Sequence, residues 1–565
     1  MIQKRGDQSI RLMGALLLAL SAVVITGCSD EESDNDSASQ ETPPPAETPA
    51  IAAALPDTPD ADDALPPSKL LNLYCGACHT PTNNGGLSRI SNIRKTPEGW
   101  DMSIVRMTLH HDVEIPKNVR ARLVKYLADA QGLAPRETRG HRAVLERRHN
   151  VVETGMDPEL NVMCARCHSN ARYALQRRDA DEWRLLVNMH VGQWPSIEYQ
   201  ALARDRDWWE IASGQVAEKL GALYPLETKA WSDWRAAPRQ DMSGTWAVTG
   251  HWPGHGDYAG TMKIEGQGDD GYLATYALTT SAGETLAVTT KAIVYTGYEW
   301  RGRGAWGDAP IKEIYALSED GQTLTGRWYF ENSFEIGADF SAARLEDGVA
   351  HITSVWPATL ESGDSADITI TGANLEGAVS LGPNIKAQVM ERSANKIIVR
   401  AKAKCSAAPS VRTITVGTAR LENALTLFED VDYLRVTPPF GIARLGDGMT
   451  PPITAQFEAI GYTNGPDGVA GTQDDIRIGP LQAEWRVEPH NAVAKELQDV
   501  KYAGTLDQSG FFTPAEAGPN RKRKQSRDNV GDLNIVASVP TYDGKAEGAA
   551  HLMVVVQKWN NPPIQ

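Results

Sequence analysis

The sequence predicts a multidomain chain in which an α-helical domain is followed by three antiparallel β domains. Between residues 68 and 238, apolar side chains recur at helical spacing, for example at Leu123, Tyr126 and Leu127. From about Asp241 the spacing changes to alternate residues, with aromatic side chains and Gly-rich turns, which is typical of antiparallel strands. A length of 565 residues is enough for several domains, each with its own core.

Residues 1–27 have the composition of an export signal. Basic residues precede an apolar run at 12–26, which is shorter than the roughly 20 residues that a membrane span needs. The run ends in Ile25-Thr26-Gly27-Cys28, which resembles a bacterial lipobox. The resemblance implies cleavage before Cys28, acylation of Cys28 and a periplasmic location, and Ser29 favours an anchor in the outer membrane. The alternative is an ordinary cleaved signal that contains a cysteine.

Residues 28–67 are rich in Asp, Glu, Ser, Pro and Ala. Such a segment has too little apolar surface to offset the entropy of ordering, so we predict a disordered acidic tether. The whole chain has 72 acidic and 56 basic residues, which give a formal net charge of −16. This charge argues against a general nucleic-acid-binding surface.

Two Cys-x-x-Cys-His pentapeptides lie in the helical region, residues 68–238. The first contains Cys75, Cys78 and His79, and the second contains Cys164, Cys167 and His168. Two thiols about one helical turn apart can each form a thioether with a porphyrin vinyl group, while the adjacent imidazole binds the iron. The motifs therefore predict two covalently bound c-type haems and a role in electron transfer.

Two other kinds of site use the same residue types. Cysteine pairs and histidine also bind structural zinc, but the long separation of Cys78 from Cys164 exceeds the usual spacing of a zinc ribbon. A Cys-x-x-Cys pair can also be a redox dithiol. Both alternatives remain open at this stage.

The helical region contains an internal repeat that suggests the second ligand of each iron. Each motif is followed by a related segment that begins at Trp100 in the first half and at Trp183 in the second. Aligning the tryptophans places Met107 opposite His190. Methionine sulfur and imidazole nitrogen are common second ligands, so we expect His79 and Met107 at the first iron and His168 and His190 at the second.

Other side chains nearby could take these places. Met102, His110 and His111 are alternatives at the first iron, and Met189 is an alternative at the second. Methionine ligation raises the reduction potential of a haem relative to paired histidines. The preferred assignment therefore predicts electron flow from the second haem to the first.

The three β domains are expected at 239–347, 348–429 and 430–565. The first is expected to be a barrel or sandwich, and the last two to be immunoglobulin-like sandwiches. No Ser/His/Asp triad, phosphate loop or dinucleotide fingerprint occurs in them. The acidic segment 464–475 interleaves oxygen ligands with glycine, but without the glutamate of an EF-hand it is better explained as an acidic turn. Cys405 is expected to be a buried thiol in a strand.

The whole layout resembles the alpha subunit of quinohaemoprotein amine dehydrogenase. The resemblance covers about residue 68 to the end, and depends on combining the two haem motifs with three β domains that contain Gly244-Thr-Trp246 and Ser509-Gly-Phe-Phe512-Thr-Pro514. It implies a heterotrimer with a β-propeller subunit and a small subunit that carries cysteine tryptophylquinone. Amine oxidation at the quinone would then supply electrons that the haems pass to an external copper protein or cytochrome.

The acidic tether and the lipobox depart from that family picture, and they put free diffusion in the periplasm in doubt. By the same resemblance this chain alone transfers electrons only, since the quinone lies on another polypeptide. The alternative function is a surface-anchored dihaem electron carrier that serves another redox complex. A scaffold or adhesion lipoprotein is disfavoured by the two haem motifs.

Overall fold

The computed structural model describes residues 64–83, 85–446, 450–542 and 544–556. The predicted export signal at 1–27, Cys28 and most of the predicted tether lie outside these ranges and stay predictions. Within the described ranges, no helix is both long enough and apolar enough to cross a membrane.

The region before the barrel is helical, as predicted, and several of its helices begin at signals visible in the sequence. Pro67, Pro97 and Pro158 stand at the first helical position, where a missing N–H needs no partner. The helices are α1 (Pro67–Cys75), α2 (Pro97–His111), α3 (Lys117–Ala130), α4 (Pro135–Thr138), α5 (Arg142–Leu145), α6 (Pro158–Met163), α7 (Ala171–Ala174), α8 (Ala180–Gln193), α9 (Trp208–Ile211), α10 (Ala217–Leu223) and α11 (Lys229–Ala236).

Two short strands, which the sequence analysis did not predict, join the two repeats. Strand β1 (Ile93–Lys95) pairs antiparallel with β2 (Gln176–Arg178), and Arg94 lies opposite Arg177. Each strand leads directly into the helix of its own repeat, α2 after β1 and α8 after β2. Because Arg94 and Arg177 hold equivalent positions in the two repeats, their pairing relates the repeats by a local two-fold axis.

The tryptophans used to align the repeats have equivalent surroundings. The indole N–H of Trp100 donates to the carbonyl oxygen of Gln131 at 3.1 Å, and that of Trp183 donates to the carbonyl oxygen of Tyr224 at 3.0 Å. Both indoles are buried. The sequence alignment of the repeats therefore corresponds to a structural equivalence.

The first β unit is a closed eight-stranded antiparallel barrel, which confirms the barrel alternative. Its order is β10-β3-β4-β5-β6-β7-β8-β9, and side chains alternate between buried and exposed, most regularly in β5 and β6. The strands are β3 (Gly244–Trp252), β4 (Gly256–Gly268), β5 (Gly271–Thr280), β6 (Thr285–Tyr295), β7 (Glu299–Trp306), β8 (Ala309–Leu317), β9 (Thr323–Phe330) and β10 (Ser333–Arg344).

The second β unit consists of two four-stranded sheets, ordered β11-β13-β16-β15 and β12-β18-β17-β14, around one apolar core. The two sheets bear out a β domain here, and the immunoglobulin-like topology stays a prediction. The strands are β11 (His351–Trp356), β12 (Thr359–Glu361), β13 (Ser365–Ala373), β14 (Val379–Ser380), β15 (Ile385–Arg392), β16 (Lys396–Ala403), β17 (Ser410–Val416) and β18 (Ala419–Phe428).

The last β unit has three sheets, ordered β19-β22-β23, β20-β28-β27-β24 and β21-β26-β25, and two short helices. Its elements are β19 (Tyr433–Thr437), β20 (Phe440–Arg444), β21 (Ala455–Gln456), β22 (Glu458–Thr463), β23 (Ile476–Leu481), β24 (Glu484–Pro489), α12 (Ala492–Glu496), α13 (Asp499–Tyr502), β25 (Gly504–Leu506), β26 (Phe511–Pro514), β27 (Gly531–Thr541) and β28 (Gly544–Val555).

Cys405 and the acidic segment 464–475 both lie in these β units. The expectation for Cys405 is wrong, because it lies exposed in a turn just after β16. In the acidic segment, the carboxylate of Asp475 accepts hydrogen bonds from the backbone of Gly471 and Thr472 at 2.6 and 3.0 Å. That bonding agrees with an acidic turn, and calcium binding at 464–475 stays an open alternative.

A buried ion-pair network fixes the helical region to the barrel. Glu299 on β7 accepts hydrogen bonds from Arg142 of α5 at 2.7 Å and from Arg301 at 2.8 Å. Arg301 also donates to Glu98 of α2 at 2.6 Å. Burial alone would raise the pKa of Glu299, but the two guanidinium groups lower it to about 2. The network therefore stays charged at neutral pH and ties both α2 and α5 to the barrel wall.

A second polar contact joins the barrel to the last β unit. His251 Nδ1 lies 2.6 Å from Asp257 on the neighbouring barrel strand, and His251 Nε2 lies 2.8 Å from Glu458 of β22. Burial opposes protonation, but the two carboxylates outweigh it and raise the pKa of His251 to about 10. At neutral pH this imidazolium therefore bridges two units of the chain.

His251→Gln should destabilise the protein in a pH-dependent way. Because the folded-state pKa is raised, the stabilisation is complete below the ordinary value of about 6.5 and is lost as the pH rises through about 10. At pH 7 we expect a loss of about 1–3 kcal/mol in the free energy of unfolding. Urea unfolding followed by tryptophan fluorescence at pH 7 and above pH 10 measures it.

The matched control is His255→Gln. His255 stacks on Trp252 with ring centroids 3.8 Å apart, and burial lowers its pKa. For this control, we expect the difference in the free energy of unfolding from wild type to be the same at pH 7 and above pH 10. If His251→Gln lowers the free energy of unfolding as much above pH 10 as at pH 7, that result would contradict a stabilising role of the His251 charge.

Candidate functional site

The first Cys-x-x-Cys-His motif begins at the end of α1. Helix α1 ends at Cys75, and the backbone N–H of His79 donates to the carbonyl oxygen of Cys75 at 2.9 Å, which turns the motif through one more helical turn. His79 Nδ1 donates to the carbonyl oxygen of Ser88 at 2.8 Å. This bond fixes the ring and leaves Nε2 with its lone pair, which is the arrangement a metal-binding histidine needs.

The second motif is built in the same way after α6. Asp157 caps that helix by accepting from the backbone N–H groups of Glu159 and Leu160, and Cys164 follows its last residue. His168 Nδ1 donates to the carbonyl oxygen of Ser169 at 2.9 Å, which again leaves Nε2 as the acceptor. Both predicted imidazoles are therefore in the tautomer that can bind iron.

The motif thiols do not have the properties of a redox dithiol. Burial raises the pKa of Cys75 to about 11, and burial together with the neighbouring Cys167 raises that of Cys164 to about 12. A reactive dithiol needs a lowered thiol pKa instead. Cys78 and Cys167 are exposed, so each motif pairs one half-buried thiol with one accessible thiol.

The structure also gives no support to a zinc site at the motifs. Among the described residues, the groups of three ligating side chains within 4.8 Å of one another are His490, Asp532 and His551 and, separately, Asp467, Asp474 and Asp475. Neither group includes a motif cysteine. The donor set at each motif, two thiols and one oriented imidazole, fits covalent haem.

His190 lies near the second motif, because its ring centroid is 5.9 Å from that of Trp208, whose indole N–H donates to the carbonyl oxygen of Met163 beside Cys164. Its Nδ1 donates to the carbonyl oxygen of Leu186 on α8 at 2.9 Å, which leaves Nε2 as the acceptor. Burial lowers the pKa of both His168 and His190, and the charge of His190 lowers that of His168 further. The structure therefore brings together the two imidazoles predicted for the second iron, while their binding to iron stays a prediction.

The ligand opposite His79 is less well defined. Met107 is half-buried in the last turn of α2, and its carbonyl oxygen accepts from Asp112. The sulfur of Met102 accepts hydrogen bonds from Arg106 and Arg172, at 3.3 and 3.5 Å. Met102 thus faces the second repeat, which leaves Met107 as the preferred methionine.

The remaining alternatives lie at the ends of α2 and α8. His110 and His111 are exposed, and His110 Nε2 is 3.4 Å from the side-chain nitrogen of Gln193. Met189 is half-buried beside His190. The structure therefore places the ends of the two helices side by side but does not decide among these side chains.

Sequence reasoning missed a group of basic residues between the repeats, which we call the cationic cluster. It consists of Lys95 on β1, Arg106 on α2, Arg172 on α7 and Arg178 on β2. Lys95 and Arg178 are almost completely buried. The repeated pair of basic residues just before each Trp-containing helix was the only signal in the sequence.

Comparison with protein families gives four consecutive matches. Residues 67–231 match a model described as quinohemoprotein amine dehydrogenase A, alpha subunit, haem binding. Residues 239–345, 349–429 and 434–564 match the models for alpha subunit domains II, III and IV of quinohemoprotein amine dehydrogenase. The matched segments cover the helical region and all three β units.

Comparison with individual proteins gives less. A search of curated proteins gave no match. Among solved structures, a de novo designed fluorescence-activating β-barrel is 16% identical, covers 18% of this chain and 93% of its own, and has a TM-score of 0.16. The cadherin-like domains 1 to 4 of zebrafish RET are 10% identical, cover 43% of this chain and 63% of their own, and have a TM-score of 0.16.

Alkylation of the chain made without haem attachment should distinguish the thiols. At pH 8 we expect iodoacetamide to modify Cys78 and Cys167 roughly tenfold faster than Cys75 and Cys164, since thiolate is the reacting form and the buried pair has raised pKa values. Peptide mass spectrometry at timed intervals measures the rates. The exposed Cys405 is the internal reference, and unfolding in urea should abolish the difference. Equal rates in the folded chain would contradict it.

Proposed function

Because this chain belongs to the family of quinohaemoprotein amine dehydrogenase alpha subunits, we propose that it is the dihaem electron-transfer subunit of a periplasmic amine dehydrogenase. The observation that carries this proposal is the pair of Cys-x-x-Cys-His motifs, each with an imidazole held at Nδ1 by a backbone carbonyl group. When bound, haem c supplies one-electron exchange at its iron.

The residues of this chain have distinct parts in that function. Cys75 and Cys78 would hold the first haem, and Cys164 and Cys167 would hold the second. His79 and Met107 would bind the first iron, and His168 and His190 would bind the second. The hydrogen bonds from Nδ1 to the carbonyl oxygens of Ser88, Ser169 and Leu186 orient the three imidazoles.

Electrons enter this chain from a cysteine tryptophylquinone on a small partner subunit, and a β-propeller subunit completes the heterotrimer. They would pass from the site of His168 and His190 to the site of His79 and Met107, because methionine ligation would give the first haem the higher potential. An external copper protein or cytochrome c then accepts them. Acylation at Cys28 holds the complex at the outer membrane.

Anaerobic addition of a primary amine to the natively purified complex should produce the absorption band of ferrous haem c. The amine would reduce the quinone on the partner subunit, and the reduced quinone would then pass electrons to this chain. Dithionite added afterwards reports the total haem. The alpha chain purified alone is the control, and it should respond to dithionite only.

A complex that responds to dithionite but to no amine tested would contradict the amine dehydrogenase proposal. That outcome would leave a surface-anchored dihaem carrier with a different electron donor. Absence of any covalent haem would contradict both functions.

Substitution of the proposed second ligands should affect one haem each. Met107→Ala should abolish the sulfur-to-iron charge-transfer band of ferric haem and lower the potential of that haem, whereas His190→Ala should leave the band intact. Absorption spectroscopy and spectroelectrochemistry measure both effects. Met102→Ala and Met189→Ala are the matched controls, and loss of the band in either of them would reassign the ligand.

A further inference from the structure

The cationic cluster carries more positive charge than its protein surroundings balance. Among the described residues, the carboxylate that contacts it is Glu182, whose Oε2 is 3.5 Å from Arg178. Glu182 also pairs with Arg89 at 3.1 Å. Lys95 donates instead to the hydroxyl group of Ser103 at 2.5 Å. Glu182 is thus shared between Arg89 and Arg178, and Asp179 is the other carboxylate that stabilises the charge of Arg178.

Arg106 and Arg172 are the least compensated members of this cluster. Both donate to the neutral sulfur of Met102, at 3.3 and 3.5 Å, and within the described ranges neither forms an ion pair with a carboxylate. Burial lowers the pKa of Arg106, and the charge of Arg172 lowers it further. Two guanidinium groups held side by side on a thioether repel each other, so a bound anion would stabilise them.

The same two arginines lie beside the second Cys-x-x-Cys-His motif. Arg172 lies on α7, four residues after His168, and the Met102 sulfur that both arginines contact places Arg106 next to it. Arg106 comes from the first repeat and Arg172 from the second, so the pair spans the junction between the repeats. An anion bound by this pair would therefore lie close to the second motif.

Haem provides such anions, because each porphyrin carries two propionate groups. We propose that Arg106 and Arg172 bind the propionates of the haem attached at Cys164 and Cys167 and thereby raise its reduction potential. The inference rests on the proposed haem attachment. A planar guanidinium group forms paired hydrogen bonds with a carboxylate, and the Met102 sulfur holds both groups in position for this. Positive charge near the iron favours the ferrous form, which has one positive charge fewer than the ferric form.

The test is the reduction potential of each haem in the full haem-loaded chain. Arg106→Gln and Arg172→Gln should each lower the potential of the second haem by about 59 mV, which is a tenfold change in its ratio of ferrous to ferric iron at a fixed potential. The first haem should move less. A Cys164→Ala, Cys167→Ala double variant, which cannot attach the second haem, identifies its potential by the loss of that wave in spectroelectrochemistry.

Three further variants separate charge from structure. Arg106→Lys and Arg172→Lys keep the positive charge, so they should restore most of the wild-type potential. Arg184→Gln removes an exposed arginine from α8 that pairs with Asp181 at 3.0 Å, and it should leave both potentials unchanged.

The outcomes separate this inference from the proposed function. A wild-type chain without covalent haem in the pyridine haemochrome assay would overturn both. Two attached haems with unchanged potentials in Arg106→Gln and Arg172→Gln would overturn the inference alone, as would an equal shift in Arg184→Gln. If the glutamine variants lose the second haem, the lysine variants decide. If the second haem of the lysine variants has the wild-type reduction potential, the inference is supported. A shifted potential or a lost haem in the lysine variants overturns the inference.

Discussion

The buried carboxylate of Glu137 is the interaction on which the arrangement of the two haem motifs depends. Its oxygens accept two hydrogen bonds from Arg94, at 2.8 and 2.9 Å, and one from Arg177 at 3.1 Å. Ala134 N–H and the Thr228 hydroxyl complete its partners. Burial alone would raise the pKa of Glu137, but the arginines lower it overall. A buried carboxylate with two guanidinium groups is stable only when every lone pair is used, as it is here.

The contact of Glu137 with an arginine from each repeat gives it a wider effect. Arg94 and Arg177 are the central pair of the β1–β2 ladder, so Glu137 fixes the register of the two strands. Each strand leads into the helix that carries a proposed second iron ligand, α2 with Met107 and α8 with His190. The network around Glu299 then fixes α2 to the barrel. The proposed metal ligands are therefore held by two buried ionic networks, which keeps the geometry of the two sites constant relative to each other.

The local features of this structure could be predicted from the sequence, and the long-range ones could not. The haem motifs and the strand alternation are patterns within a few residues, and the pairing of Trp100 with Trp183 reports a repeat. By contrast, Glu137 meets Arg94 and Arg177 only after the chain has folded, and nothing in its own sequence neighbourhood marks it. The expectation of a buried thiol at Cys405 failed because the end of a strand is hard to place from sequence. Strand β16 ends just before this residue, which lies in the following turn.

The cationic cluster shows how stability and function oppose each other in the helical region. In the barrel, the buried carboxylate of Glu313 accepts hydrogen bonds from the indole N–H of Trp300 at 2.9 Å and from the hydroxyl of Thr290 at 3.0 Å. The helical region instead buries Lys95 and Arg178, and among the described residues Glu182 is the carboxylate that forms an ion pair with Arg178. On the proposed pairing, the haem propionates would supply anions to Arg106 and Arg172 at a fixed place, so the charge balance there would not depend on the concentration of any ion. On this pairing, haem attachment would add to the stability that the two repeats of the helical region already gain from their own apolar cores.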